Sequence, residues 1–184
     1  KKITIDSATM MNKVFEIMEA KKIFDMSYKK LDILVHPKSY VHALIKFRNG
    51  LTKILIHDTD MTIPIFNSLY ENNEKKITTK KLNFSVINHL NFKKVDLKKF
   101  PVVKILDKLS TNHSLFETVI VSANDTLVNM FLKRKIHFLD ISKYLLKIIE
   151  KPEFNKFKRI SPKNIKDITK LSKYVSFKTS SLDI

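Results

Sequence analysis

The chain has 184 residues, 43% of them hydrophobic, enough to bury a core in one domain or two small ones. It has no cysteine and one glycine, Gly50, which excludes disulfides, thiolate metal sites and the glycine-rich phosphate cradles of Rossmann and P-loop proteins. The net charge of +17 rests on 32 Lys and only 3 Arg (Arg48, Arg134, Arg159), and with 22 Ile and 13 Asn it reads as A+T-rich compositional drift, since nucleic-acid readout favours the Arg fork.

Lys2-Ile3-Thr4-Ile5 alternates like a short strand, and Asp6-Ser7-Ala8-Thr9 after it is rich in residues that cap helices. Residue 1 is Lys, with no apolar signal core or Arg-rich leader before the strand, so the chain is expected to begin in mid-fold. Met11, Phe15, Met18 and Lys22, with Met10, Val14 and Ile17 beside them, predict a helix to about Phe24. Leu31 to Val35 reads as a strand broken by His36-Pro37. Val41 to Phe47 and Leu51 to Ile56 read as a hairpin about Asn49-Gly50, whose type I′ turn needs positive φ at both central residues. A turn at Asp58-Thr59-Asp60 and a short helix from Ile63 to Tyr70 follow.

Residues 71–96 carry little beyond a modest alternation at Leu82, Phe84 and Val86 and are expected to be a linker or arm. Helical spacing then recurs at Val103 to Leu106, Leu115 to Leu132, Ile141 to Ile149 and Ile165 to Val175, with Asp140 a cap candidate and Ser161-Pro162 reading as a cap followed by a first-turn proline. The expected class is α+β: part of a catalytic domain at 1–70, a linker at 71–96 and a small helical bundle at 97–184. No apolar run reaches the roughly 18 residues of a membrane span.

Chemistry concentrates in Asp6 to Glu16. Free N–H groups and the positive macrodipole at a helix start favour an anion, to which Ser7 offers a hydroxyl, Asn12 an amide and Lys13 a charge. Glu16 falls on the same helix edge about one turn farther on, where a carboxylate suits a hard divalent cation. The plainer alternative is Ser7 as a cap and Lys13/Glu16 as a solvated ion pair.

The run K-I-T-I-D-S-A-T-M-M-N-K-x-x-E resembles the signature of 1-deoxy-D-xylulose 5-phosphate reductoisomerases. Val35-His36-Pro37-Lys38-Ser39-Tyr40-Val41-His42 is similar to the family's V-H-P-x-S-x-x-H, Asp60-Met61-x-x-Pro64-Ile65 to its P-D-M-x-x-P-I, and Val121-Ser122-Ala123-Asn124-Asp125 to its L-N-A-A-N-E. Val14, Thr59, Ser122 and Asp125 stand where the family commonly has Gly, Pro, Ala and Glu. The resemblance implies an NADPH-dependent, divalent-metal enzyme (Mg²⁺ or Mn²⁺) that converts 1-deoxy-D-xylulose 5-phosphate to 2-C-methyl-D-erythritol 4-phosphate in non-mevalonate isoprenoid biosynthesis. It implies that Ser7, Asn12 and Lys13 bind the substrate phosphate, that Glu16 is the catalytic metal and substrate ligand, and that Met61 packs near the nicotinamide. The NADPH-binding domain, two further metal carboxylates and an active-site loop are expected upstream of Lys1, so the chain alone is expected to be inactive; a homodimer is implied for the whole enzyme. The Lys, Ile and Asn bias with Val14 resembles apicomplexan members of a plastid, with a bacterial cytoplasmic enzyme as the alternative.

His36 and His42 lie in the second motif and are either site-lining or structural; no catalytic order can be assembled from His57, His89, His113 and His137. Asn124-Asp125 reads as a mid-helix packing or capping feature. The rival of another class is a lysine-rich module binding nucleic acid or another polyanion, against which stand the Lys/Arg imbalance and the lack of a strand interleaving aromatic and basic residues.

Overall fold

A computed structural model of the protein describes residues 1–70, 75–81, 83–110 and 112–181. The elements run α1 (Lys2–Thr9), α2 (Met11–Phe24), a 3₁₀ turn (Tyr28–Lys30), β1 (Leu34–Val35), β2 (Val41–Lys46), β3 (Thr52–Ile56), α3 (Thr62–Leu69), α4 (Phe84–Asn88) and β4 (Lys93–Lys94). A 3₁₀ segment (Pro101–Lys108), α5 (Phe116–Leu132), α6 (Phe138–Glu150), α7 (Pro152–Asn155), a 3₁₀ turn (Lys156–Arg159) and α8 (Ile165–Ser180) complete the order.

The chain forms two units, one of Lys1–Ile33 with Val95–Ile184 and one of Leu34–Lys94. Contacts therefore divide the chain differently from the boundaries expected near 70 and 96. The physical reason is that α2 buries Met11, Val14, Ile17 and Met18 in the same apolar cluster as the C-terminal helices. In that helical unit α5 is the central element, packing on α6 and α8 and touching α1 and α7. Phe116, Ile120 and Leu127 of α5 and Ile141, Leu145, Ile148 and Ile149 of α6 are buried, each full burial worth about 1.5–3 kcal/mol. The i, i+4, i+7, i+8 spacing on α6 is the stripe that made this helix legible.

The second unit holds two small antiparallel sheets. β1 pairs with β4 (Leu34 opposite Lys94), and β2 pairs with β3 (Leu44 opposite Ile54) with an irregularity between Val41 and Ala43. None of its described residues is buried, and Leu44, Ile45, Leu51, Ile54 and Leu55 are exposed. A two-stranded hairpin with both faces bare is marginal in water, so this unit carries no core of its own among the described residues.

Mixed helices and small sheets agree with the expected α+β class, but several local expectations are corrected. The strand at Lys2 to Ile5 is an α-helix through Thr9, because it has no partner strand among the described residues and a helix satisfies its own backbone while setting Ile5, Asp6 and Thr9 on one buried face. The strand of 31–35 shrinks to two residues behind the Tyr28–Lys30 turn. The hairpin stands where Asn49-Gly50 placed it, yet only Gly50 has positive φ (87°); its N–H donates to Phe47 O at 3.1 Å, so a type I turn followed by a left-handed glycine replaces type I′. Within the expected linker, Phe84 and Val86 lie in the short helix α4, capped by Asn83 Oδ1 accepting from the Val86 N–H (3.3 Å); Leu82 lies outside the described residues.

Asn164, not Ser161, caps α8, its Oδ1 accepting from the Asp167 N–H at 3.1 Å, while the Ser161 hydroxyl donates to His113 O at 2.8 Å. Asp140 does serve the start of α6, from its third position: it accepts the His137 N–H (3.0 Å) and completes a capping box in which His137 is the cap residue. Leu127→Ala is expected to lower unfolding free energy by about 2–5 kcal/mol and Leu139→Ala, at a position 79% exposed, by under about 0.5 kcal/mol, as read from urea denaturation midpoints.

Candidate functional site

The stretch expected to seat an anion is a joint between two helices, not between a strand and a helix. Met10 closes α1 in the left-handed region (φ 67°) and is also the residue from which α2 starts. A non-glycine residue there is costly and persists only where its surroundings enforce it. The Met10 N–H donates to Ser7 O (3.1 Å), and Thr9 Oγ1 bridges the bend, donating to Ile5 O (3.0 Å) and accepting from the Met11 N–H (3.4 Å). Thr9 thus serves the start of α2 in the way a capping hydroxyl does.

Around this joint Ser7 is exposed on the last turn of α1, and Asn12 and Lys13 are half-buried on the first turn of α2. The Asn12 Oδ1 atom is buried, and no described group donates to it. The Lys13 ammonium closes on Glu16, at 2.9 Å from Oε1 and 2.8 Å from Oε2, both side chains being about half exposed (44% and 53%). Lys13 and Glu16 share one helix edge as their spacing requires, and their pairing is the solvated ion pair that the sequence left open. An exposed pair of this kind is worth well under about 1 kcal/mol and is readily opened by a competing ligand.

The donor set fits a divalent cation only in part. Glu16 is one accessible carboxylate, and no group of three or more His, Cys, Asp or Glu able to hold a metal occurs among the described residues.

Two networks that the sequence did not spell out hold the two ends of the α2 region. Asp6, 5% exposed, accepts a hydrogen bond from Asn124 Nδ2 of α5 at 2.8 Å, and Asn124 is wholly buried. Lys2 Nζ lies 2.7 Å from Asp125 Oδ1, 3.6 Å from Asp6 Oδ2 and 5.8 Å from the Phe15 ring centre, and so touches α1, α2 and α5 together. Burial works to lower the Lys2 ammonium pKa, but Asp125 and Asp6 outweigh it and raise the group above its usual value. On the opposite end of α2, buried Glu117 forms an ion pair with Lys22 and accepts the Tyr28 hydroxyl at 2.9 Å. Burial, then the Glu117 charge and hydrogen bond, push the Tyr28 phenol well above its ordinary 10.0. The Asn-Asp pair within V-S-A-N-D was the visible signal for the first network; nothing local marked Glu117.

In the second unit Met61 is 65% exposed at the entrance to α3. Asp60 holds that helix start, accepting from Thr62 N–H (2.9 Å) and Oγ1 (2.6 Å), and these bonds lower its carboxyl pKa. His42 stacks face to face on His57 with ring centres 3.5 Å apart, and both His36 ring nitrogens are buried without a described partner beside Phe92.

The stretch that carries Ser7, Asn12, Lys13 and Glu16, residues 1–24, matches the family described as 1-deoxy-D-xylulose 5-phosphate reductoisomerase C-terminal domain, and residues 56–176 match the DXP reductoisomerase C-terminal domain. The chain belongs to the DXP reductoisomerase C-terminal domain family. A 1-deoxy-D-xylulose 5-phosphate reductoisomerase of Pelagibacter ubique is 62% identical over all of this chain and 47% of its own length, and one from Sulfurihydrogenibium is 40% identical over 85% of this chain and 42% of its own. The solved reductoisomerase from Zymomonas mobilis in complex with NADPH superposes with a TM-score of 0.83 at 28% identity, covering 99% of this chain and 47% of that one. A DOX-P reductoisomerase in complex with NADPH, fosmidomycin and magnesium gives 0.86 at 27% identity, over 98% of this chain and 45% of that one. The chain thus spans about half the length of the family members it matches. No helix among the described residues is long and apolar enough to cross a membrane.

A phenol whose folded pKa is raised contributes stability that is whole below its unfolded value of about 10 and is lost as the pH climbs through the folded value. Tyr28→Phe is accordingly expected to cost about 1–3 kcal/mol at neutral pH and to flatten the alkaline fall in stability, measured by thermal unfolding between neutral and strongly alkaline buffer.

Proposed function

We propose that this chain is the C-terminal part of an enzyme that converts 1-deoxy-D-xylulose 5-phosphate to 2-C-methyl-D-erythritol 4-phosphate, and that the α1–α2 joint is its phosphate seat. The observation that carries the reading is the coincidence of the family segment at 1–24 with a helix start whose polar residues are free to turn to a ligand. Ser7 donates its hydroxyl to the phosphate, Asn12 its amide, and Lys13 leaves Glu16 to balance the dianion, with the α2 dipole adding to the attraction. Holding the phosphate fixes the reacting carbons at a set distance from the seat, so binding energy remote from the chemistry orients it.

Glu16, released from Lys13, supplies one oxygen ligand to a divalent cation whose remaining ligands lie outside this chain. When bound, that cation polarises the substrate carbonyl and NADPH supplies the hydride. The solved neighbours in complex with NADPH and with magnesium support both cofactors; manganese is an equivalent occupant for an oxygen ligand. Met61 offers its exposed thioether to the nicotinamide. The enzyme works as a homodimer, as the resemblance implies, and the bacterial sources of the relatives support a bacterial setting over a plastid.

In the full-length protein, Glu16→Gln is expected to lower Mg²⁺-dependent turnover of 1-deoxy-D-xylulose 5-phosphate by about 10²–10³-fold with the fold intact, followed by NADPH absorbance. Near-normal turnover removes Glu16 from the metal shell. Ser7→Ala is expected to raise KM about tenfold, and an unchanged KM removes it from the phosphate seat.

A further inference from the structure

We infer that Asn124, buried in the middle of α5, is a positioning residue for the phosphate seat, acting through Asp6; this rests on the function proposed above. Asp6 immediately precedes Ser7 and lies four residues before the strained Met10 joint, so whatever holds the Asp6 carboxylate holds the bend between the helix that carries Ser7 and the helix that carries Asn12 and Lys13. Three features show that the hold comes from α5. The Asn124 amide donates to Asp6 Oδ1 at 2.8 Å, Lys2 bridges Asp6 to the neighbouring Asp125, and Asp6 and Asn124 are both buried.

Stability alone does not account for this arrangement. The Asn124 Oδ1 is itself buried and no described group donates to it, in a core position that an apolar residue could fill. What an apolar residue cannot supply is an N–H aimed at a buried carboxylate. The polar pair specifies a geometry, as buried polar contacts do when they select one arrangement among several apolar ones. The substitution of Asp for Asn at 124 tests the donor directly, because two carboxylates in contact can share one proton at low pH and repel once it is lost.

The test is steady-state kinetics on the full-length protein with 1-deoxy-D-xylulose 5-phosphate, Mg²⁺ and NADPH, alongside thermal unfolding. Asn124→Asp and Asn124→Ala are expected to raise KM about tenfold while kcat of the folded enzyme stays within about threefold, and the Asp variant is expected to approach normal KM as the pH falls. The double exchange Asp6→Asn with Asn124→Asp restores one donor facing one acceptor and is expected to return KM to within about threefold of the unsubstituted protein. A merely structural role lowers the active fraction, hence kcat, and leaves KM unchanged in every folded variant; that result, or a folded double exchange that fails to restore KM, overturns the inference. If neither single variant folds, Lys2→Met on the exposed rim of the network must raise KM at least about threefold, and an unchanged KM overturns the inference. No turnover by the unsubstituted protein overturns the functional reading and this inference with it, whereas turnover with unmoved KM values overturns the inference alone.

Discussion

A carboxylate taken into a protein interior must find a donor or a counter-charge, since the cost of leaving it bare is several kcal/mol. Asp6 finds both, an amide from α5 and an ammonium from its own helix. That requirement ties the first nine residues to the middle of the C-terminal helices, four residues before the left-handed Met10. The candidate site is thus backed by a buried contact spanning 118 residues, while its exposed Lys13 and Glu16 are weakly tied to each other.

The two units differ in how far they are self-sufficient. The helical unit has a continuous core around α5, reinforced at the far end of α2 by the Glu117 cluster. The unit of Leu34–Lys94 displays apolar strand faces with no buried residue among those described. Apolar area of this kind is ordinarily covered by another surface.

Legibility in the sequence followed the range of the forces involved. Elements defined by their own periodicity, α5, α6 and α8, stood out because an apolar stripe encodes both helix and buried face. The Asn49-Gly50 hairpin was visible in position but not in turn type, since Gly50 alone takes positive φ. The four residues Lys2 to Ile5 misled because so short a stretch alternates as well as it spirals, and only the burial of Ile5, Asp6 and Thr9 on one face decides between them. At α8 the cap moved from Ser161 to Asn164 because Ser161 is engaged with His113. The motif residues Lys13 and Glu16 were found with their shared edge, whereas the contacts behind them join distant segments: Asn124-Asp125 was marked as a packing feature without its partner Asp6, and nothing local marked Glu117 with Lys22 and Tyr28.

The central claim is that the α1–α2 joint seats a phosphate and that Lys13 and Glu16 part to receive it and a cation. A crystal structure of the full-length protein with 1-deoxy-D-xylulose 5-phosphate and Mn²⁺, the metal located by its anomalous signal, addresses it most directly. The account predicts phosphate oxygens within hydrogen-bond distance of Ser7, Asn12 and Lys13, manganese on Glu16, and the Lys13–Glu16 pair open. Phosphate bound elsewhere, with that pair still closed and no metal at Glu16, would contradict it.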